Sequence, residues 1–376
     1  MTRAADPGVQ RPKLRRLDRH HLERDGEALL VLRDPQGVAE PVALPAEVGP
    51  LLDLLDGTRS AAQIRHSLLF SGREAFDREA IEGLIDDLGA AGLLDDDSFR
   101  RRWAALHRAF VDAPRRPPAF ADVLYPGDPE ALAELLGELL GPARRRLAPG
   151  SPLAGVLIPH QPFERAASIL AATLVELPPA DELDAIVIVG ADPQPGLVPF
   201  AATAKDFDTP LGPVAADRRR IDRLCERHPW LLQEEIRHRG AVSVELAAIL
   251  VRYLYGDAAP PILPLLCGQA ALLVGEQSVA VDELYASLEV DLDELRVLWI
   301  AVAELGHCGP AYGRPRLPDD AADRLQARDQ GLLEALARGQ LHELQRRCLA
   351  EDPLLGPASG APVLASLARL LPVGYR

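Results

Sequence analysis

The stretch DAIVIVGAD, residues 184–192, decides the fold. Ile186, Val187, Ile188 and Val189 follow one another with no polar residue between them. A half-buried strand would alternate apolar with polar. An unbroken branched run closed by a glycine reads as a strand covered on both faces. Three other stretches repeat the texture: LAGVLIPH (153–160), PPILPLLCG (260–268) and LRVLWIAVAELGHCG (295–309). Between them, residues 163–176 and VELAAILVRYLY (244–255) suit helices, and DVLYPGDPEALAELLGELLG (122–141) reads as a turn and an amphipathic helix with Pro129 in its first turn. Strands alternating with helices predict an α/β fold, a mainly parallel sheet with helices on both faces. Ligands of such sheets sit beyond the carboxyl ends of the strands, where His160, Asp192, Cys267 and His307 fall.

Residues 14–103 have a different texture. ALLVLRDPQGVAEPVALP (28–45) reads as two short strands around a turn at Asp34–Gly37. Three short helices follow, in EVGPLLDLLDG (47–57), TRSAAQIRHSLLF (58–70) and DREAIEGLIDDLGAAGLLDDD (77–97), the last with Asp77 as N-cap. A hairpin with three helices is a small winged-helix-like α+β unit. A DNA-reading role for helix 77–90 is disfavoured because it carries more acid than base. FRRRWAALHRAFVDAPRRPPAF (99–120) begins as a basic linker helix and is stopped by Pro114, Pro117 and Pro118. The expected division is therefore 1–112 and 113–376.

The 376-residue chain has a net charge of −15, which disfavours non-specific contact with nucleic acid. No apolar run reaches the roughly 18–20 residues that span a bilayer, and the basic start lacks an apolar segment, so a cytoplasmic protein is expected. The four cysteines, Cys225, Cys267, Cys308 and Cys348, form no C-x-x-C pair, which argues against a zinc knuckle or a disulfide framework. GADPQPG (190–196) lacks dinucleotide spacing. Of the nine histidines, His20, His21, His66, His107, His228, His238 and His342 are expected at the surface.

Read in order, the second segment resembles the Memo family, also called AmmeMemoRadiSam system protein B. DVLYPGDPEAL is similar to the family's G-x-x-Y-P-x-D-P-x-x-L, VLIPHQPF to I-x-P-H-A-G-Y, and KDFDTPLGPVAAD (205–217) to x-x-W-x-T-P-L-G-x-x-x-x-D. AVSVELAAILVRYLY resembles E-H-S-x-E-x-x-L-P-F-L, and AVAELGHCG (301–309) resembles S-S-D-L-S-H-Y-G. The resemblance implies a fold like the catalytic subunit of class III extradiol dioxygenases, with histidines around a metal site. His160 stands on the family's first histidine and His307 on its last. After Gly190 only Asp192 offers a metal-binding oxygen; Ala241 and Val242 replace Glu and His, while Ser243 and Glu245 remain; Gly306 replaces Ser or Cys.

The first segment resembles PqqD-like domains through LLDLLDGTRSAAQI (51–64) and IEGLIDDLGAAGLL (81–94). Such domains bind a leader peptide by strand addition and serve enzymes that modify ribosomal peptides. The combined expectation is a Memo-like protein with a degenerate metal cleft, joined to a unit that captures a leader peptide or protein partner. The first rival is an active non-haem oxidoreductase holding iron, copper or zinc on His160, His307 and a carboxylate of Asp192, Glu245 or Glu304. The second is a DNA-binding regulator acting through the winged helix. Without a metal, His160 and His307 would be an acid–base pair oriented by Glu245 or Glu304.

Overall fold

A computed structural model describes residues 10–72, 76–144, 154–192, 196–268, 276–306, 308–309, 317–350 and 360–371. The chain divides into two compact units, one reaching to Asp112 and the other beginning at Ala113.

The first unit opens with an antiparallel meander, β1 (Asp18–Arg24), β2 (Glu27–Arg33) and β3 (Val42–Pro45), in the order β1-β2-β3. β2 and β3 are the two strands read from the sequence. β1 was not anticipated, because DRHHLER has one apolar residue; it is held by its ladder to β2 through a turn in which Asp25 and Gly26 both adopt positive φ, 55° and 82°. Helices α1 (Gly49–Leu52), α2 (Ala61–Phe70), α3 (Arg78–Ala90) and α4 (Asp97–Asp112) follow. The expected helix over 47–57 shrinks to a 3-10 turn and the four residues of α1. Gly57, at φ 81°, ends that region. Asp77 caps α3 as predicted, accepting from the Ala80 amide at 2.8 Å. Leu30 and Leu32 of β2 close over Leu51, Ile64, Ile81 and Leu88 to form the core. The 34–39 turn is fixed by Arg15, whose guanidinium donates to both Asp34 oxygens at 2.8 and 2.9 Å and stacks 3.8 Å from the Phe99 ring.

The second unit runs β4 (Arg115–Arg116), α5 (Pro129–Arg144), β5 (Gly155–Pro159), α6 (Phe163–Leu174), β6 (Ala185–Ala191), β7 (Phe200–Ala202), β8 (Asp206–Phe207), α7 (Arg218–Arg227), α8 (Val242–Tyr255), β9 (Ile262–Cys267), α9 (Glu276–Leu292), β10 (Val297–Ala303), α10 (Ala321–Ala337), α11 (Leu341–Cys348) and α12 (Ala361–Leu370). The main sheet has the order β5-β10-β6-β9-β7. β5, β10, β6 and β9 are parallel, and β7 is an antiparallel edge. Successive residues of each strand enter different cores. Ile186, Ile188 and Ile300 pack with α5, α6 and α8; Val187, Val189 and Ala301 pack with α7, α9 and α12. The absence of alternation in DAIVIVGAD is thus the signature of a sheet with helices on both faces. Among the described residues no helix is long and apolar enough to cross a membrane.

Candidate functional site

The register lines up the strand ends in the order β5, β10, β6, β9. The His160 amide donates to the Ala303 carbonyl at 3.3 Å, so half-buried His160 lies beside the end of β10 and half-buried Glu304. The Asp192 amide donates to the Cys267 carbonyl at 3.1 Å, which ties the end of β6 to that of β9. β10 separates β5 from β6. At about 4.8 Å per strand, the backbones at His160 and Asp192 are roughly 10 Å apart. His307 lies outside the described residues. Among those described, no three His, Cys, Asp or Glu side chains gather as a cation cage.

Asp192 is buried and paired. The Nε of Arg237 donates to its Oδ2 at 2.5 Å, with both side chains about as enclosed, 6% and 5% exposed. Arg237 also donates to the Val198 carbonyl at 3.2 Å and to Glu234 at 2.9 Å. Glu234 in turn receives the Leu197 and Val198 amides at 3.0 and 3.1 Å. A Cβ on Gly268 would come within 2.7 Å of the Arg237 guanidinium, and one on Gly196 would collide with it. Two glycines thus make room for a cationic side chain at the strand ends.

Glu245, expected to orient a histidine, has other partners. It lies in the first turn of α8 and is wholly buried, with its carboxylate against the Arg116 guanidinium and the Tyr125 hydroxyl. The Ala119 and Phe120 amides donate to it at 3.0 Å each. Arg116 spends its remaining donors on the carbonyls of His238 at 2.9 Å, Pro117 at 3.0 Å and Arg239 at 3.1 Å. Burial and the neighbouring carboxylate push the Tyr125 phenol upward, so it stays a donor. Among the described residues no histidine side chain is a partner of Glu245. Beside it, the Ser243 hydroxyl donates to the Ala191 carbonyl at 2.9 Å, and any Cβ on Gly190 would collide with that hydroxyl. Gly190 therefore lets α8 start against the end of β6.

Gly306 has a similar cause: a side chain there would collide with Leu325 of α10. Cys267 at the end of β9 faces Ser366 at 3.4 Å, which receives the Tyr285 hydroxyl at 2.9 Å. Burial pushes the Cys267 thiol up to about 12, and those of Cys225 and Cys348 to about 11, so none is a thiolate near neutrality.

Two histidines expected at the surface are interior. His228 is 5% exposed and His238 is fully enclosed. The Nε2 of His238 lies 3.0 Å from the Ala201 carbonyl, and its Nδ1 has no hydrogen-bond partner among the described residues. Burial is the main cause that lowers its pKa to about 3; the Ala201 carbonyl opposes this, and Arg116 and Arg237 reinforce it. Sequence reasoning also passed over Arg116, which lies in the stretch read as a linker, and Arg237, which it did not single out. Neither lies in a pattern with a period; only long-range packing reveals them.

The T-P-L-G segment is architectural. Thr209 closes a turn onto Gly212, at φ 112°, with its amide and hydroxyl 3.3 and 2.7 Å from the Gly212 carbonyl. Phe207 then bridges Val214, and Asp217 caps α7 by accepting from the Arg220 amide at 3.2 Å.

A family model described as "Memo-like protein" matches residues 116–352, more than half of the chain. The chain is similar to a MEMO1 family protein of Aquifex aeolicus, 24% identical over 82% of this chain and 79% of the relative. A MEMO1 family protein of Thermus thermophilus is 28% identical over 82% of this chain and 86% of its own length. One from Methanopyrus kandleri is 27% identical over 59% of this chain and 80% of its own. The aligned spans of the first two are longer than the second unit, so the similarity reaches into the first.

Proposed function

The chain belongs to the Memo-like family, and from that premise we propose a binding scaffold whose family metal cleft is degenerate. One observation carries this reading: the carboxylate available after Gly190, Asp192, is occupied by the buried guanidinium of Arg237. A carboxylate bound this way is a poor metal ligand, and the fixed positive charge beside it opposes a divalent cation. Glu245 is likewise committed to Arg116 and Tyr125. The donors described at the strand ends therefore do not fit a resident catalytic ion, which takes about three protein ligands. His160 is left as an acid–base group with Glu304 the carboxylate nearby at the strand ends, and His307, which lies outside the described residues, is the proposed second member of the pair.

In this reading the first unit is a PqqD-like, winged-helix peptide binder. Its meander ends in two edges, and a leader peptide adds to β3, making the chain an accessory to peptide modification. What supports this is the hairpin followed by helices, together with the segments 51–64 and 81–94. Metal analysis of untagged protein tests the cleft. The expectation is iron, copper and zinc well below one equivalent and unchanged by His160→Ala. A stoichiometric ion lost in that variant would establish the active oxidoreductase instead. Peptides selected for binding to the full chain should slow amide exchange over Val42–Pro45; protection elsewhere only would reject strand addition at β3.

A further inference from the structure

β1 reads Asp18-Arg19-His20-His21-Leu22-Glu23-Arg24 and is exposed along its length apart from half-buried His20. It pairs with β2 on one side, and among the described residues no strand pairs with its other side. Its charges have an order that matters only when the strand meets itself. Lay a second copy antiparallel, with His21 facing His21. Asp18 then faces Arg24 of the second copy, Arg19 faces Glu23, and His20 faces Leu22; the dyad repeats each pair. Directly opposed residues share a face of the sheet. The Arg19–Glu23 pairs fall on the side where β2 places Leu30 and Leu32, opposite His21 and Arg19 in the register, and the Asp18–Arg24 pairs fall on the other side. The nearest registers in which the outward N–H and C=O groups still match are slipped by two residues, and they set Asp18 against Leu22 and Arg19 against His21, or His20 against Arg24 and His21 against Glu23, so both ion pairs are lost.

We propose that β1 is a self-association edge, through which two copies of this chain join their meanders into one six-stranded antiparallel sheet. Charges on an edge strand usually guard against such pairing by repulsion. Here the signs reverse about His21, so the same charges attract in one register, and in the adjacent ones they find no partner of opposite sign across the strands as Asp18–Arg24 and Arg19–Glu23 do. The Asp25–Gly26 turn holds the full seven-residue strand against β2, so the whole length is presented. Arg19 also meets Asp53 at 2.5 Å in its own unit; that pair is exposed and leaves other guanidinium donors for Glu23. Seven residues of ladder make a contact small beside a standard interface, so a dissociation constant on the order of 10 µM is expected. The proposal is independent of peptide capture, which was assigned to β3.

Sedimentation velocity of the full chain at low ionic strength, from about 1 to about 200 µM, tests it. A monomer–dimer equilibrium in that range is expected. Asp18→Arg alone and Arg24→Asp alone should each weaken it roughly tenfold, because each sets like charges face to face twice. An equimolar mixture of the two variants should recover association, since opposite signs then face one another at both positions. A folding defect would not be cured by mixing. A monomer throughout, or a dimer indifferent to both variants and to their mixture, would overturn the proposal.

Discussion

The second unit contains two buried arginine–carboxylate centres that look alike in composition and differ in construction. At the start of α8, Glu245 is enclosed by Arg116, Tyr125 and two amides, and every donor of Arg116 ends on a carbonyl or on that carboxylate. At the strand ends, Asp192 relies on Arg237, which itself is shared with Glu234 and the Val198 carbonyl. The first centre joins segments 116–125 and 238–245 into one body and has no spare capacity. The second sits where a ligand would sit, and its cation has a second anion in reserve. A buried ion pair is thus architectural or replaceable according to what remains when one partner goes.

Removing the anion of the first centre should do the most damage. Glu245→Ala leaves Arg116 charged and buried, at an expected cost of about 3–5 kcal/mol in urea unfolding. A loss below about 1 kcal/mol would erase the distinction between the centres.

Acid should act next. His238 follows Arg237 in the chain and gives its carbonyl to Arg116, so it belongs to both centres. Its pKa falls from 6.5 to about 3 on folding, chiefly through burial. Between these values the unfolded chain binds a proton that the native state refuses. Stability from this residue is therefore full above pH 6.5 and declines as pH falls, by about 2 kcal/mol at pH 5. His228 is lowered in the same direction, with burial as the main cause. His238→Gln should flatten the slope of stability against pH between 5 and 7; an unchanged slope would place the acid sensitivity elsewhere.

The difference between the centres also marks how far sequence reasoning reached. The four parallel strands were legible because burial on both faces removes alternation, as in Ile186–Val189 and Leu263–Leu266. Helix α3 followed from its apolar spacing and its Asp77 cap, and α6 and α8 from segments that suited helices between the strands. β1 was missed because an edge strand of charged residues is held chiefly by backbone pairing, although Asp25–Gly26 was a usable turn signal. β7 and the pair β4–β8 were missed because each strand has only two or three residues. The positions of His160 and Asp192 at strand ends were readable. The commitments of Asp192 and Glu245 were not, since their arginines lie 45 and 129 residues away. The buried state of His238 is equally a product of packing between distant segments, with Ala201 37 residues away.

The mildest expected change sharpens the comparison most. In Asp192→Asn the amide oxygen still accepts from the Arg237 Nε, and Glu234 still balances the guanidinium, so the cost should be about 1 kcal/mol, the ordinary worth of one weakened charge-assisted bond. Glu245→Gln, the same chemical change at the other centre, leaves Arg116 with carbonyls only and should cost several times more. The cleft adds a second readout. Arg237→Gln removes the guanidinium bound to the Asp192 carboxylate and the positive charge beside it, so zinc uptake measured by equilibrium dialysis should rise above that of the parent chain. Arg116→Gln should not raise it, because Glu245 would then sit among Tyr125 and two amides with no route to a cation. If both arginine variants bind zinc alike, or neither does, the strand-end centre is as architectural as the other, and the guanidinium of Arg237 is not what keeps the cleft from holding an ion.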